Sequence, residues 1–286
     1  MRQKILVSLC LSGVVALSAC DQQGSGSEVE RSFQGVNVID ESNLNDIMLS
    51  AADPNEAVAY FNRTINEHPD RIDIMRGLAS SLIRAKNPTE AAKAWAQVTA
   101  HAESNVEDQV SHADALIRAG EWDMAETVLD TIPPTYETYK RYRLEAMVAD
   151  GNEEWKKADS FYEIAAGLTT QPSSVLNNWG YSKLTRGDYS AAEAMFMDAL
   201  KYNSGLYTAK NNLVLARGAQ RNYDLPIIPM SQIERAQLLH TLALAAIKQG
   251  DVVTGKGLLQ ESIDTHPLYF EAAVRSLKAL ENNVTN

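Results

Sequence analysis

The sequence has 286 residues, 45% of them apolar and 22% charged, with only 7% aromatic and a formal net charge of −11. A chain of that length can bury a sizeable core, and abundant alanine with few aromatics favours closely packed helices over sheet. The acidic balance, unrelieved by a basic cluster or an aromatic-rich basic stripe, excludes nucleic acid as a partner and means that attachment to anionic lipid needs something other than charge.

The N-terminal segment offers that something. Arg2 and Lys4 precede an apolar run from Ile5 to Leu17, which ends in the small-residue stretch Leu17-Ser18-Ala19-Cys20. The run is too short and wrongly flanked for a membrane-spanning helix and reads as a secretory signal over 1–19. The stretch resembles the lipobox of bacterial lipoproteins. The resemblance implies that the Cys20 thiol receives diacylglycerol, that the chain is cut before it, and that the new amine is acylated. Cys10 falls in the removed part. The covalent lipid on Cys20 is then the only non-protein group expected, with no cofactor and no metal, and multiple acylation gives stable anchoring. In enteric bacteria an aspartate after the cysteine holds a lipoprotein in the inner membrane, a rule other Gram-negative groups follow loosely. With Asp21 there, the expectation is a periplasm-facing lipoprotein, outer membrane favoured and inner membrane open. Residues 20–37, rich in Gly, Ser and Gln, read as the acylated cysteine and a flexible tether.

From residue 38 onward the sequence repeats. Alanines followed four residues later by a bulky side chain recur as Ala57/Phe61, Ala91/Trp95, Ala125/Leu129, Ala158/Tyr162 and Ala192/Phe196, at intervals of 34, 34, 33 and 34. A period near 34 is that of the tetratricopeptide repeat (TPR), a helix-turn-helix unit. The stretch Leu176 to Ser204 is most similar to it, through Trp179-Gly180, the turn Gly187-Asp188-Tyr189, and Ala192, Phe196 and Ala199. Gly180 is expected to face Ala192 so that two backbones approach closely. Phe196 is expected to fill the groove to the next pair, with Ala199 letting that pair close in. The fold class that follows is all-α, a right-handed solenoid of five repeats over 38–206. A degenerate half repeat occupies 207–233, where Pro226 and Pro229 forbid a helix interior. A last repeat over 234–269 and a capping helix with a tail over 270–286 complete it. The acid-rich turn around Asp150 to Glu154 suggests a lengthened turn in the fourth repeat.

No catalytic constellation accompanies the repeats. The five histidines, His68, His101, His112, His240 and His266, form no ligand spacing with cysteine or carboxylate, and no nucleophile elbow is present. The chain is expected not to be an enzyme.

A solenoid's first helices line its concave face. In TPR proteins generally, ligands contact a small set of positions on those helices. Carried onto this sequence, the fifth position falls on Arg76, Val110, Arg141, Asn177, Asn211 and His240, and the ninth on Ser80, Asp114, Glu145, Tyr181, Leu215 and Leu244. The peptide-groove candidates are Arg76, Asp114, Arg141, Asn177, Tyr181, Asn211 and His240. Asn177 and Asn211 recur 34 apart, so their amides would stack along the wall and clamp an extended backbone. The Lys/Asn/Arg set with which chaperone-binding TPR domains hold a C-terminal carboxylate is not reproduced, since His240 and Gln237 stand in the following repeat.

Signal, lipobox, tether and six to seven TPR units together resemble the TPR lipoproteins of tight-adherence (Tad/Flp) pilus loci, over Leu176 to Leu280 above all. The resemblance implies a pilotin-like scaffold that helps the outer-membrane secretin or other envelope components of the pilus assemble. The alternative is an adaptor for cell-wall synthases and hydrolases or for the outer-membrane barrel-assembly machinery.

Overall fold

A computed structural model describes residues 44–284; Cys20, the signal over 1–19 and the tether over 20–37 lie outside the described residues. The chain divides into two compact units at Ala52. In the first, residues 44–50 are helical (α1), and Ala51 and Ala52 donate their N–H groups to the Ile47 carbonyl.

The second unit is a run of helices: α2 Pro54–Glu67, α3 Ile72–Arg84, α4 Pro88–Ala100, α5 Val106–Ala119, α6 Trp122–Asp130, α7 Tyr139–Gly151, α8 Trp155–Gly167, α9 Ser173–Thr185, α10 Tyr189–Tyr202, α11 Tyr207–Ala219, α12 Gln232–Lys248, α13 Val252–Thr265 and α14 Glu271–Val284. No strand occurs among the described residues. Each helix packs on its neighbours in sequence, the hairpin geometry that short connections impose and the stacking of an α-solenoid.

Local chemistry sets the helix starts. Pro54 and Pro88 occupy the first turn, where no backbone N–H is needed. Asn105 with Asp108, and Ser231 with Glu234, form reciprocal capping boxes at α5 and α12. Asp53, Asp188 and Asp251 accept from first-turn N–H groups of α2, α10 and α13.

The turn after each of six helices carries one residue in the left-handed region. These are Lys86, Gly120, Glu153, Gly187, Arg221 and Gly250, with φ between 59° and 84°. Their spacings of 34, 33, 34, 34 and 29 give the repeat register directly. This corrects the expectation for the fourth repeat. Glu153 occupies the same place in its turn as Gly187 does in the next repeat, so the Asp150–Glu154 turn is not lengthened. The missing residue belongs to the third repeat, whose second helix, α6, has only 9 residues before Pro133-Pro134.

The recurring small residues are in the core. Ala57, Ala91, Ala125, Ala158, Ala192 and Ala199 are each fully buried, as is Phe196. Gly180 lies close against α10. A Cβ built on it would lie 2.7 Å from the Phe196 ring and 3.1 Å from Met195 Cβ. The glycine therefore makes room for the Phe196 ring where α9 meets α10. Gly77 does the same across a repeat boundary, where a Cβ would sit 2.4 Å from Phe61.

After α11, residues 220–231 are irregular and contain Pro226 and Pro229. Side chains of this segment take over the packing of an absent second helix. Ile228 rests on the cluster of Phe196, Leu213 and Ala216, while Leu225 and Met230 pack on Val214, Leu238 and Leu242.

Candidate functional site

The helices α3, α5, α7, α9, α11 and α12 are the first members of successive hairpins, and their common wall holds the candidate ligand positions. Counting back ten residues from each left-handed turn residue gives Arg76, Val110, Arg143, Asn177, Asn211 and His240. Counting back six gives Ser80, Asp114, Met147, Tyr181, Leu215 and Leu244. Arg141 is thereby removed from the wall. Its side chain is 9% exposed, and it donates to Glu145 at 2.6 Å and to the Pro133 carbonyl at 2.8 Å. It ties the start of α7 to the loop before it. Arg143 and Met147 occupy the positions assigned to Arg141 and Glu145, a shift of two residues that follows from the turn correction.

The wall has two chemically different stretches. Over α3, α5 and α7 it is ionic, and most of its charges are engaged. Arg76 grips Asp108 with two hydrogen bonds of 2.7 Å. Burial pushes the Asp108 carboxyl up, but Arg76 and the Asn105 N–H more than offset that, so it titrates below the ordinary carboxylate range. Asp114 accepts from Arg118 at 2.8 Å on its own helix and from Arg143 at 3.3 Å on the next. Lys140 donates to Ser111 at 2.9 Å, and burial lowers its ammonium pKa. Arg76 and Asp114 thus fix one helix to the next across the wall.

Over α7, α9 and α11 the wall is amide and aromatic. Asn177, Tyr181 and Asn211 line one cavity of about 480 Å³ together with Met147, Asn178 and Tyr207. Tyr181 is 53% exposed. The Asn212 amide donates to Asn177 Oδ1 at 3.2 Å, and the Thr241 hydroxyl donates to Asn211 Oδ1 at 2.9 Å. Both carbonyl oxygens are held by the following helix. Among the described residues neither Nδ2 group has an acceptor, and both asparagines, one repeat apart, line the cavity with a donor to spare. Such donors suit the backbone carbonyls of an extended chain. Asn178 is oriented by the Met147 sulfur at 3.5 Å.

A second set of contacts holds this stretch rigid from behind. Asp159 of α8 accepts from Trp179 Nε1 at 2.6 Å, Lys183 at 2.9 Å and Arg186 at 2.5 Å, all from α9 and its C-terminus. The cation of Arg186 also lies over the Trp155 ring, 5.5 Å from its centroid.

His240 stands apart from the cavity. Its Nε2 is 3.0 Å from Ser276 Oγ of α14, and its ring meets Phe270 edge-on at 5.6 Å. Burial lowers its pKa. The capping helix covers it, so it is a packing residue at the end of the solenoid. Of the seven groove candidates, the structure brings together Asn177, Tyr181 and Asn211. It places Arg76 and Asp114 in ion pairs away from that cavity and engages the buried Arg141 and the half-buried His240 in structural contacts. Asp150, Trp122 and Met147 line the amide–aromatic cavity without having been singled out from the sequence. The repeat register, once set by the turn residues, would have found Met147.

Among the described residues no group of three or more His, Cys, Asp or Glu side chains is placed to hold a metal ion, and no helix is long and apolar enough to cross a membrane.

Comparison with known proteins agrees with this architecture. The tetratricopeptide repeat family matches residues 49–105. No curated protein matches the sequence. Among solved structures, the chain is similar to the Cut9–Hcn1 assembly of the APC/C, with a TM-score of 0.59 and 17% identity over 82% of this chain. It spans about half of that longer chain, 48%. A tetratricopeptide repeat protein from Parabacteroides merdae gives a TM-score of 0.55 at 11% identity, over 90% of this chain and 100% of the other. PilW, described as a widely conserved type IV pilus biogenesis factor, gives a TM-score of 0.55 at 13% identity, over 82% and 96%. The class that the fold defines is an α-solenoid of tetratricopeptide-type helical hairpins.

Proposed function

We propose that the protein is a non-enzymatic, lipid-anchored scaffold of the periplasm. In this reading it grips an envelope protein during assembly of a tight-adherence pilus, as a pilotin-like factor for the secretin or its partners. The observation that carries the proposal is the pair of Asn177 and Asn211 amides. Their carbonyls are fixed by α11 and α12, and their donors open into a cavity beside the exposed Tyr181 ring. An acyl-bearing Cys20 supplies the anchor. Residues 20–37 supply reach, and the wall over α7, α9 and α11 holds an extended segment of the partner by its backbone. The fold shared with a type IV pilus biogenesis factor is compatible with this role.

The test is affinity purification from envelopes, carried out on the intact protein and on the Asn177→Ala/Asn211→Ala double variant. Recovery of a secretin or another pilus component with the first and its loss with the second is expected. Recovery of cell-wall enzymes alone would overturn the pilus role. In parallel, Cys20→Ser is expected to move the protein from the membrane to the soluble fraction. Unchanged sedimentation with membranes would refute the anchor.

A further inference from the structure

The cavity over α7, α9 and α11 contains one carboxylate, Asp150, at the C-terminal end of α7. Its surroundings are unusual for an acid in so charged a protein. It is half-buried, and among the described residues it has no ion-pair partner. The Ser182 hydroxyl donates to its Oδ1. Among the described residues its Oδ2 has no donor. The cation that bears on it electrostatically, Arg186, is already bonded to Asp159. Burial raises the Asp150 pKa above the ordinary carboxylate range, and Ser182 and Arg186 only partly offset this. The other charged or titratable groups coupled to this site are Asp159, Arg143 and Tyr162, whose phenol is also pushed up.

Two indole rings line the same cavity. Trp122 is 39% exposed and lies against Gly151, where a Cβ would be 3.7 Å from the ring. Trp155 already carries the Arg186 guanidinium on its ring. A carboxylate without an ion-pair partner in a cavity also lined by an exposed indole is a combination that holds an alkylammonium or guanidinium. The cation pairs with the acid, and its methylene stem lies on the ring. The formal net charge of −11 favours approach of a basic segment.

We propose that this cavity is a specificity pocket for one Lys or Arg side chain of the bound segment, seated against Asp150 with Trp122 on the same cavity wall. The inference rests on the extended-segment reading of the wall and adds to it the identity of one side chain. Backbone carbonyls meet the Asn177 and Asn211 donors, and the basic side chain one step along turns into the pocket.

Selection of a random-peptide phage library on the full-length protein in detergent tests this. Selected sequences are expected to share a Lys or Arg at one position. Replacing that residue by norleucine in a synthetic selected peptide should weaken binding about tenfold or more. Asp150→Asn should weaken binding of the basic peptide to the same degree while leaving the norleucine peptide unaffected. Its circular dichroism and melting curve confirm that the variant folds. Selected peptides without a shared basic residue, or equal binding of the basic peptide to protein and Asp150→Asn variant, overturn the pocket. If such peptides still lose binding in the Asn177→Ala/Asn211→Ala variant, the backbone clamp stands without it. Failure to select any peptide counts against both.

Discussion

Ala192 has no exposed surface and sits in the cluster that includes Phe196, Leu176 and Leu213. Three extra carbons there have nowhere to go without moving a helix. Ala192→Leu is therefore expected to cost about 1–3 kcal/mol, read as a lowered midpoint in urea unfolding; an unchanged midpoint would show that the site is not close-packed. Glu153 offers the opposite sign. It holds φ +60°, where Gly120, Gly187 and Gly250 stand in other repeats. A side chain in that region costs about 1–2 kcal/mol, partly recovered by glycine's greater freedom in the unfolded chain. Glu153→Gly should raise stability by about 0.5–1 kcal/mol, checked by the same unfolding curve. The alanine pattern is visible in the sequence because close approach of two helices tolerates only a small side chain, whatever surrounds it. Glu153 is not visible as the left-handed residue of its turn, because a glutamate reports nothing about its backbone angle. That silence is what misplaces Arg141: reading the acid-rich turn as longer than its neighbours pushes the wall position back along α7. The wall position then falls on a buried arginine two residues from the correct one.

Between elements, carboxylates set the acid response, and two of them act in opposite directions. Asp108 links α5 to Arg76 of α3 and caps its own helix. Its folded pKa is below the unfolded value of about 3.9. The stability it contributes is present above that value and is lost as pH falls through the folded pKa. Asp108→Ala should cost about 2 kcal/mol at neutral pH and cost progressively less below about pH 4, measured by thermal melts across pH. Asp150 has a folded pKa above the unfolded value. Its favourable contribution is complete below about pH 3.9 and is lost as pH rises through the folded pKa. Asp150→Asn is therefore expected to melt higher than the parent at pH 7, with the difference vanishing in acid; a lower melting point at pH 7 would contradict the assignment. These links were beyond sequence reading because they join residues some 30 apart. The repeat brings position 76 beside position 108, but does not announce that an arginine and an aspartate will meet there. Asn177 and Asn211 were readable as a pair for the converse reason, since identical residues one period apart must stand on adjacent helices.

At the scale of the molecule, the second unit is a stack of hairpins in which one second helix is missing. Pro226 and Pro229 make the interruption legible, because no helix interior accommodates both. What fills the gap was not legible: Leu225, Ile228 and Met230 read as loop residues until the faces of α11 and α12 are seen to need covering. Ile228→Ser should accordingly lower the melting temperature, whereas the same change at the fully exposed Ile227 should leave it unaltered. The proposed function requires that the wall built by the first helices, and not the outer surface of the second helices, receive the partner. The most direct test is photo-crosslinking in cells from position 211 on that wall and from the exposed position 163 on α8. A discrete adduct with an envelope protein from 211, and none from 163, is the predicted result. The same adduct from both positions, or from 163 alone, would contradict it.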